Sequence, residues 1–179
     1  MKRFMIILLS AALLAAAGYS VWRVLTYDDQ SNQVAGHPHY LNGKNITEMT
    51  AYDQHGKPQP LTELLTGDIN IINFWASWCE PCNREMPALV NYNHDKPGHV
   101  TVIGMNLQDK ELNRTAFIKK YHADYPILTA DASVRKNYKI NNLPTTIFVN
   151  SKGVVLKTYL GELNEEKVKV LIQQIEEGE

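Results

Sequence analysis

The sequence predicts an α/β fold, a mixed central sheet flanked by helices, preceded by a single N-terminal transmembrane helix. The apolar run from Ile69 to Phe74 reads as a buried central strand, since β-branched and aromatic residues crowd a short segment with no alternating polar face. A second such run, VTVIGMNL from Val100 to Leu107, follows a helical segment, and strand-helix-strand order implies a right-handed crossover and a parallel pair. Near the C-terminus Ile147 to Val149 turns at Ser151-Lys152-Gly153 and returns as Val154 to Tyr159, a hairpin that adds antiparallel strands.

The chain of 179 residues is long enough for one domain with a real core and a short appendage. Its formal charge is -1, and without residues 1–27, which carry Lys2, Arg3 and Arg23, fifteen basic residues face nineteen acidic ones, a net charge of -4. A mildly acidic domain does not seek phosphate backbones, so nucleic acid is excluded as a partner.

Taken in order, Lys2-Arg3 is followed by an uncharged, mostly apolar run from Phe4 to Trp22 and then Arg23. As a helix those residues rise about 28 Å, close to the roughly 30 Å hydrocarbon core of a bilayer. The leading positive pair would stay in the cytoplasm, with Trp22 and Tyr27 as aromatic anchors at the far interface. A cleaved signal peptide is the competing reading, because Ala15-Ala16-Ala17 has the small-residue pattern of a cleavage site. Either way the domain lies outside the cytoplasm, and under the first reading the protein is a single-pass protein of the cell membrane. No cysteine follows the run, so an N-terminal lipidated cysteine is excluded.

Residues 1–27 are thus the anchor or signal, residues 28–45 a polar tether with Gly36, Pro38 and Gly43, and residues 46–179 the domain. His37 and His39 in the tether make a weak metal site by themselves. The domain opens with a strand from Ile46 to Tyr52, a turn at Asp53 to Gly56, and a short edge strand limited by Pro58 and Pro60. One helical turn at Leu61 to Leu65 precedes the central strand. A helix then begins near Cys79, carries Met86, Leu89 and Val90 inward, is bent by Pro87, and ends at Pro97-Gly98. After the second strand, Asp109 to Tyr121 is predicted to be an amphipathic helix through Leu112, Phe117 and Ile118. A short strand at Tyr125 to Leu128 and a brief helix at Val134 to Tyr138 lead to Leu143-Pro144-Thr145-Thr146 and the hairpin. The last helix starts at Asn164, a good cap followed by Glu165-Glu166, and turns Val168, Leu171, Ile172 and Ile175 inward.

The chemistry concentrates in two cysteines, Cys79 and Cys82, which are the only ones in the protein and stand three positions apart where the central strand gives way to a helix. A sulfur at a helix N-terminus meets unpaired N–H groups and the helix dipole, both of which favour the thiolate over the thiol. Such a pair can close a small disulfide, and the first sulfur can attack a partner's disulfide. A purely stapling bridge normally closes a longer loop, a structural zinc site needs four ligands, and covalent haem attachment needs His where Asn83 stands.

The order of elements, with Trp78-Cys79-Glu80-Pro81-Cys82 after the central strand and a hairpin introduced by Leu-Pro-Thr-Thr, resembles the thioredoxin superfamily and within it the membrane-anchored TlpA/ResA-type thiol-disulfide oxidoreductases. The resemblance covers Ile46 to Glu177. It implies a thioredoxin fold with an N-terminal β-hairpin and a central αβ insertion spanning Met105 to Leu128. It makes Cys79 and Cys82 the redox pair, Pro87 the helix-kinking proline and Pro144 a cis-proline. Trp78, Leu143 and Pro144 would then meet the substrate, and Glu80 and Pro81 would tune the potential. Cytoplasmic thioredoxins carry a buried aspartate where this chain has Asn73, which cannot accept a proton. The resemblance puts an active carboxylate at Glu85 instead, one turn past Cys82.

Glu80 and Glu85 both oppose a nearby negative charge, so the thiolate is less favoured and the dithiol is the better reductant. The expectation is a disulfide reductase needing no cofactor and no metal. Its substrate would be a protein disulfide, with apocytochrome c or another envelope or sporulation protein as examples implied by the resemblance. Its electrons would come from a membrane thiol transporter. The alternative is a copper carrier on the same fold, using both thiolates and a downstream histidine, but His94, His99 and His122 have no matching motif and such carriers space their cysteines by three residues.

Overall fold

The computed structural model describes residues 13–20, 22 and 39–178. Residues 13–20 and 22 are helical, and among the described residues no helix is long and apolar enough to cross a membrane. The span expected over Phe4 to Trp22 falls largely outside the described residues, as do Arg23, Tyr27 and His37. The chain divides into two compact units, residues 1–38 and residues 39–179. The second begins earlier than the tether's expected end: Leu41 is buried in the core.

The second unit is built on a six-stranded sheet, with strands β1 (Ala51–Tyr52), β2 (Ile69–Trp75), β3 (Val100–Asn106), β4 (Ile127–Ala130), β5 (Thr145–Asn150) and β6 (Val155–Leu160) in the order β1-β4-β3-β2-β5-β6. Strands β2, β3 and β4 are parallel, while β5 is antiparallel to β2 and to β6, and β1 is antiparallel to β4. Helices α1 (Glu80–Asp95), α2 (Glu111–Tyr121), α3 (Ala132–Asn137) and α4 (Glu165–Glu177) complete the fold, and a 3-10 turn spans Leu61–Glu63. This is the predicted mixed α/β sheet.

Strand β2 is buried along its whole length, as its unbroken apolar run predicts. Its two faces nevertheless serve different layers. Ile69, Ile71 and Trp75 join Met86 and Leu89 of α1, Phe117 of α2 and Val168, Leu171 and Ile172 of α4. Ile72 and Phe74 join Leu41, Ile46, Leu61 and Val134 on the opposite side. Alternation along a strand puts Asn73 on the face of Ile71 and Trp75, toward α1. That single placement decides what Asn73 can touch.

Two expected elements differ. The N-terminal β-hairpin is reduced: residues 46–50 are not strand, β1 keeps two residues, and the return arm makes a single bridge, Tyr52 with Pro58. The Asn45 carboxamide accepts from the Thr47 amide at 2.9 Å and the Thr47 hydroxyl at 2.6 Å, a side-chain turn that bends the chain just where the strand was expected. Prolines 58 and 60 have no N–H to extend the other arm. The second difference is in α2, where Leu112 is 80% exposed and the inward positions are Phe117 and Arg114. Only part of the predicted amphipathic stripe faces the core.

Candidate active site

Cys79 is the N-cap of α1, with extended backbone (φ -82°, ψ 109°), and Pro81 falls in the first turn, where its missing N–H costs nothing. The Cys82 amide donates to the Cys79 sulfur at 3.2 Å, and the Asn83 amide to the Cys79 carbonyl at 3.1 Å. Helix dipole and amide thus converge on Cys79 as the sequence predicts. The two cysteines are joined as a disulfide with Cα atoms 5.3 Å apart, Cys79 being 5% exposed and Cys82 fully buried. Cys79 is thus the more accessible of the two sulfurs.

Behind the pair, Glu85 is only 1% exposed on the inner face of α1. Its Oε1 accepts from Asn73 Nδ2 at 2.9 Å and its Oε2 from the Leu163 amide at 2.9 Å. Asn73 also donates to the Thr146 hydroxyl at 3.0 Å, so one side chain ties β2 to both α1 and β5. Burial raises the Glu85 pKa and the charge of Glu162 adds to it, against the Leu163 and Asn73 hydrogen bonds, leaving it at about 7. Nearby phenols stay protonated: burial first, then the Glu85 charge, raises the pKa of both Tyr125 and Tyr159. Tyr125 donates to the Met86 sulfur at 2.9 Å. Asn73 and Glu85 are therefore one unit, with the acid on the helix and its partner on the strand.

Glu80 sits differently. Its side chain is 87% exposed and pairs with Arg84 at 3.2 Å, and Arg84 also holds Glu162 at 2.9 Å. A solvated charge beside a cation exerts only a weak field on its surroundings.

The loop that delivers Cys79 is held by residues that sequence reading missed. Asp109 accepts from the Ser77 amide, the Ser77 hydroxyl and Asn106 Nδ2, each at 2.7 Å. Asn83 Nδ2 donates to the carbonyls of Ser77 and Cys79, both at 3.0 Å, while its Oδ1 accepts from the Tyr121 hydroxyl at 3.0 Å. Asp109 lies just past the C-terminal end of β3, where parallel sheets collect functional groups, and that position was the available signal.

The remaining predicted site residues stand at the same edge of the sheet. The Leu143-Pro144 peptide is cis, and Pro144 lies one step beyond the Phe74–Thr145 pair, level with the end of β2 from which the cysteine loop departs. Leu143 packs against both core layers, and Trp78 is 59% exposed next to Cys79. His94 and His99 are occupied elsewhere, against Asp124 and Glu176 at 2.8 Å each. His94 is fifteen residues along the chain from Cys79, about 22 Å of helix.

A cysteine pair capping a helix on a thioredoxin-type sheet, with a buried carboxylic acid behind it, defines a thiol-disulfide oxidoreductase. The chain belongs to the Redoxin family, whose model matches residues 41–175. It is 30% identical over 169 residues to the thiol-disulfide oxidoreductase ResA of Bacillus subtilis (strain 168), covering 93% of this chain and 89% of that one. With the ResA protein of Halalkalibacterium halodurans it shares 31% identity over 176 residues, covering 97% and 96%. The crystal structure of StoA from Bacillus subtilis superposes with a TM-score of 0.58 at 26% identity, over 69% of this chain and 94% of that one.

Proposed function

We propose that this oxidoreductase works as a disulfide reductase on the extracytoplasmic side of the cell membrane, with Cys79 as the attacking and Cys82 as the resolving sulfur. The Cys79 thiolate attacks one sulfur of a substrate disulfide, forming a mixed disulfide and expelling the other substrate sulfur as a thiolate. Cys82 then loses its proton to the Glu85 carboxylate and attacks the Cys79 sulfur, expelling the second substrate thiolate. Two electrons pass to the substrate: the Cys82 proton reaches one substrate thiolate through Glu85, the other substrate thiolate takes its proton from water, and Cys79–Cys82 is left oxidised. Trp78, Leu143 and Pro144 border the approach; the Pro144 carbonyl already accepts from the Gly161 amide at 3.0 Å, so an extended substrate segment would pair with the Leu143 backbone before it.

The observation that carries this reading is the buried Glu85 with a pKa of about 7, one helical turn from Cys82. A group of that acidity both accepts and returns a proton at neutral pH. When ionised it opposes a thiolate nearby, which favours the disulfide in the enzyme and makes the dithiol reducing. The placement outside the cytoplasm rests on the charged-then-apolar N-terminus, Lys2-Arg3 before Phe4 to Trp22. An enzyme there has no soluble dithiol supply, so a membrane thiol transporter is its donor. Its acceptors are apocytochrome c or other envelope proteins. A relative 33% identical over 108 residues is named a sporulation thiol-disulfide oxidoreductase, which adds spore-forming proteins to that class.

Equilibration with glutathione tests the direction of the reaction. A potential near -300 mV is expected, and one as high as about -120 mV, that of a strong oxidant, would sink the reductase reading. Cys82→Ser in the native membrane should accumulate mixed disulfides through Cys79, and Cys79→Ser should not. Saturable Cu(I) binding without insulin reduction would favour the copper carrier instead.

A further inference from the structure

Outside the thiol site, Arg114 is the residue the fold leaves unexplained. It is 8% exposed on the inner side of α2, and among the described residues its guanidinium makes no hydrogen bond and no ion pair. Arg114 lines a cleft of about 540 Å³ at the sheet edge, between the first turn of α2 and the paired residues Tyr52 and Thr129 of β1 and β4. Asp53, His55 and Glu111 line it too. Asp53 Oδ1 already accepts from the His55 and Lys57 amides, both at 2.8 Å, so that carboxylate is fixed in its turn and is not available to fold down on Arg114. Glu111 is exposed. The Arg114 side chain is thus largely buried while its guanidinium nitrogens reach the water of the cleft, and two solvated carboxylates lie around it.

We propose that this cleft binds a small zwitterion of the amino-acid type, its carboxylate on Arg114 and its ammonium toward Glu111 and Asp53. A guanidinium offers a planar fork of donors that matches a carboxylate in bidentate fashion, and this one faces the cleft with no partner among the described residues to displace, so an anionic group entering the cleft meets all of its donors. A phosphate dianion would carry two negative charges past Asp53 and Glu111, and a simple carboxylate gains nothing from them. A cation a few bonds from the carboxylate turns the same two residues into contacts. The volume suits a small molecule or the end of a peptide. Free amino acid and the C-terminal residue of a polypeptide bearing lysine share this chemistry. No residue of the cleft belongs to the Cys79–Cys82 site, so the proposal stands apart from the reductase reading.

Isothermal titration calorimetry at fixed ionic strength on the full chain tests it, with L-alanine, N-acetylglycyl-L-lysine, acetate and phosphate as probes. At least one of the first two should bind saturably and about tenfold more tightly than acetate or phosphate, and whichever binds tighter names the source as free amino acid or peptide end. Arg114→Met should abolish that binding while insulin reduction is unchanged. Arg114→Lys, which keeps the charge and loses the fork, should weaken binding about tenfold, and it serves if the Met variant does not fold. Glu111→Gln should narrow the gap between L-alanine and acetate. Absence of saturable binding, equal binding of acetate or phosphate, or undiminished binding in the Arg114 variants would overturn the proposal.

Discussion

Glu85 lives between two opposed demands. Both of its oxygens accept hydrogen bonds, which favours the carboxylate, while its burial disfavours the charge and wins, raising its pKa to about 7. Because the folded-state pKa lies above the unfolded value of 4.5, this group's contribution to stability is complete below about pH 4.5. It is lost as pH rises toward 7, and the loss then levels off. The expected size is about 3 kcal/mol, read as the difference in pH dependence of urea unfolding between the wild type and Glu85→Gln. Asn73→Ala removes a donor to the charged form and should raise the Glu85 pKa further, which an NMR titration of the carboxyl carbon would report. A downward or absent shift would show that the carboxamide does not support the carboxylate. The sequence made this pair visible one member at a time: Asn73 stood out as a substitution for an acid and Glu85 as a candidate acid. That one donates to the other depends on the strand's alternation, which an unbroken apolar run conceals.

At the scale of elements, the loop before α1 depends on Asp109, which holds both the amide and the hydroxyl of Ser77. Asp109→Ala should cost about 1–3 kcal/mol through the orphaned amide and slow disulfide reduction about tenfold through a misplaced Cys79, with Asp109→Asn restoring part of both. Unchanged insulin reduction in both variants would remove Asp109 from the machinery. Gly104 of β3 is the second such dependence. A Cβ there would come within 3.1 Å of the Trp75 indole nitrogen and 3.2 Å of the Tyr125 ring, so Gly104→Ala should lower the midpoint of thermal unfolding by several degrees. Elements with strong local signals were legible from the sequence: β2 by its apolar run, α4 by Asn164, whose side chain accepts from the Lys167 amide at 2.8 Å. Where the signal was tertiary it was not. The Asn45 side-chain turn overrode the β-branched residues of the expected first strand, and Arg114 took an inward position where Leu112 was expected.

For the whole molecule, the sheet separates two apolar layers, and the thiol site belongs to only one of them. Cys79, Cys82 and Met86 share a cluster with Trp75 and Phe117, whose rings stack with centroids 4.4 Å apart. Phe117→Ala should therefore cost about 3–5 kcal/mol and speed the loss of activity on heating, whereas an equivalent change in the opposite layer, Leu61→Ala, should cost about 2–5 kcal/mol and leave the potential of the cysteine pair unchanged. The thioredoxin-type architecture could be read from the order of elements, because strand-helix-strand and hairpin signals are local and their combination has few solutions. A cleft, and a cation that faces it without a protein partner, have no such local signature.

Proton transfer through Glu85, a buried acid poised near neutrality, in the step where Cys82 resolves the mixed disulfide is tested by the pH dependence of kcat/KM for insulin reduction in the wild type and in Glu85→Gln. An inflection near pH 7 is expected in the wild type, absent in the variant, with a fall of about a hundredfold or more at neutral pH. Superimposable profiles for the two proteins would contradict it.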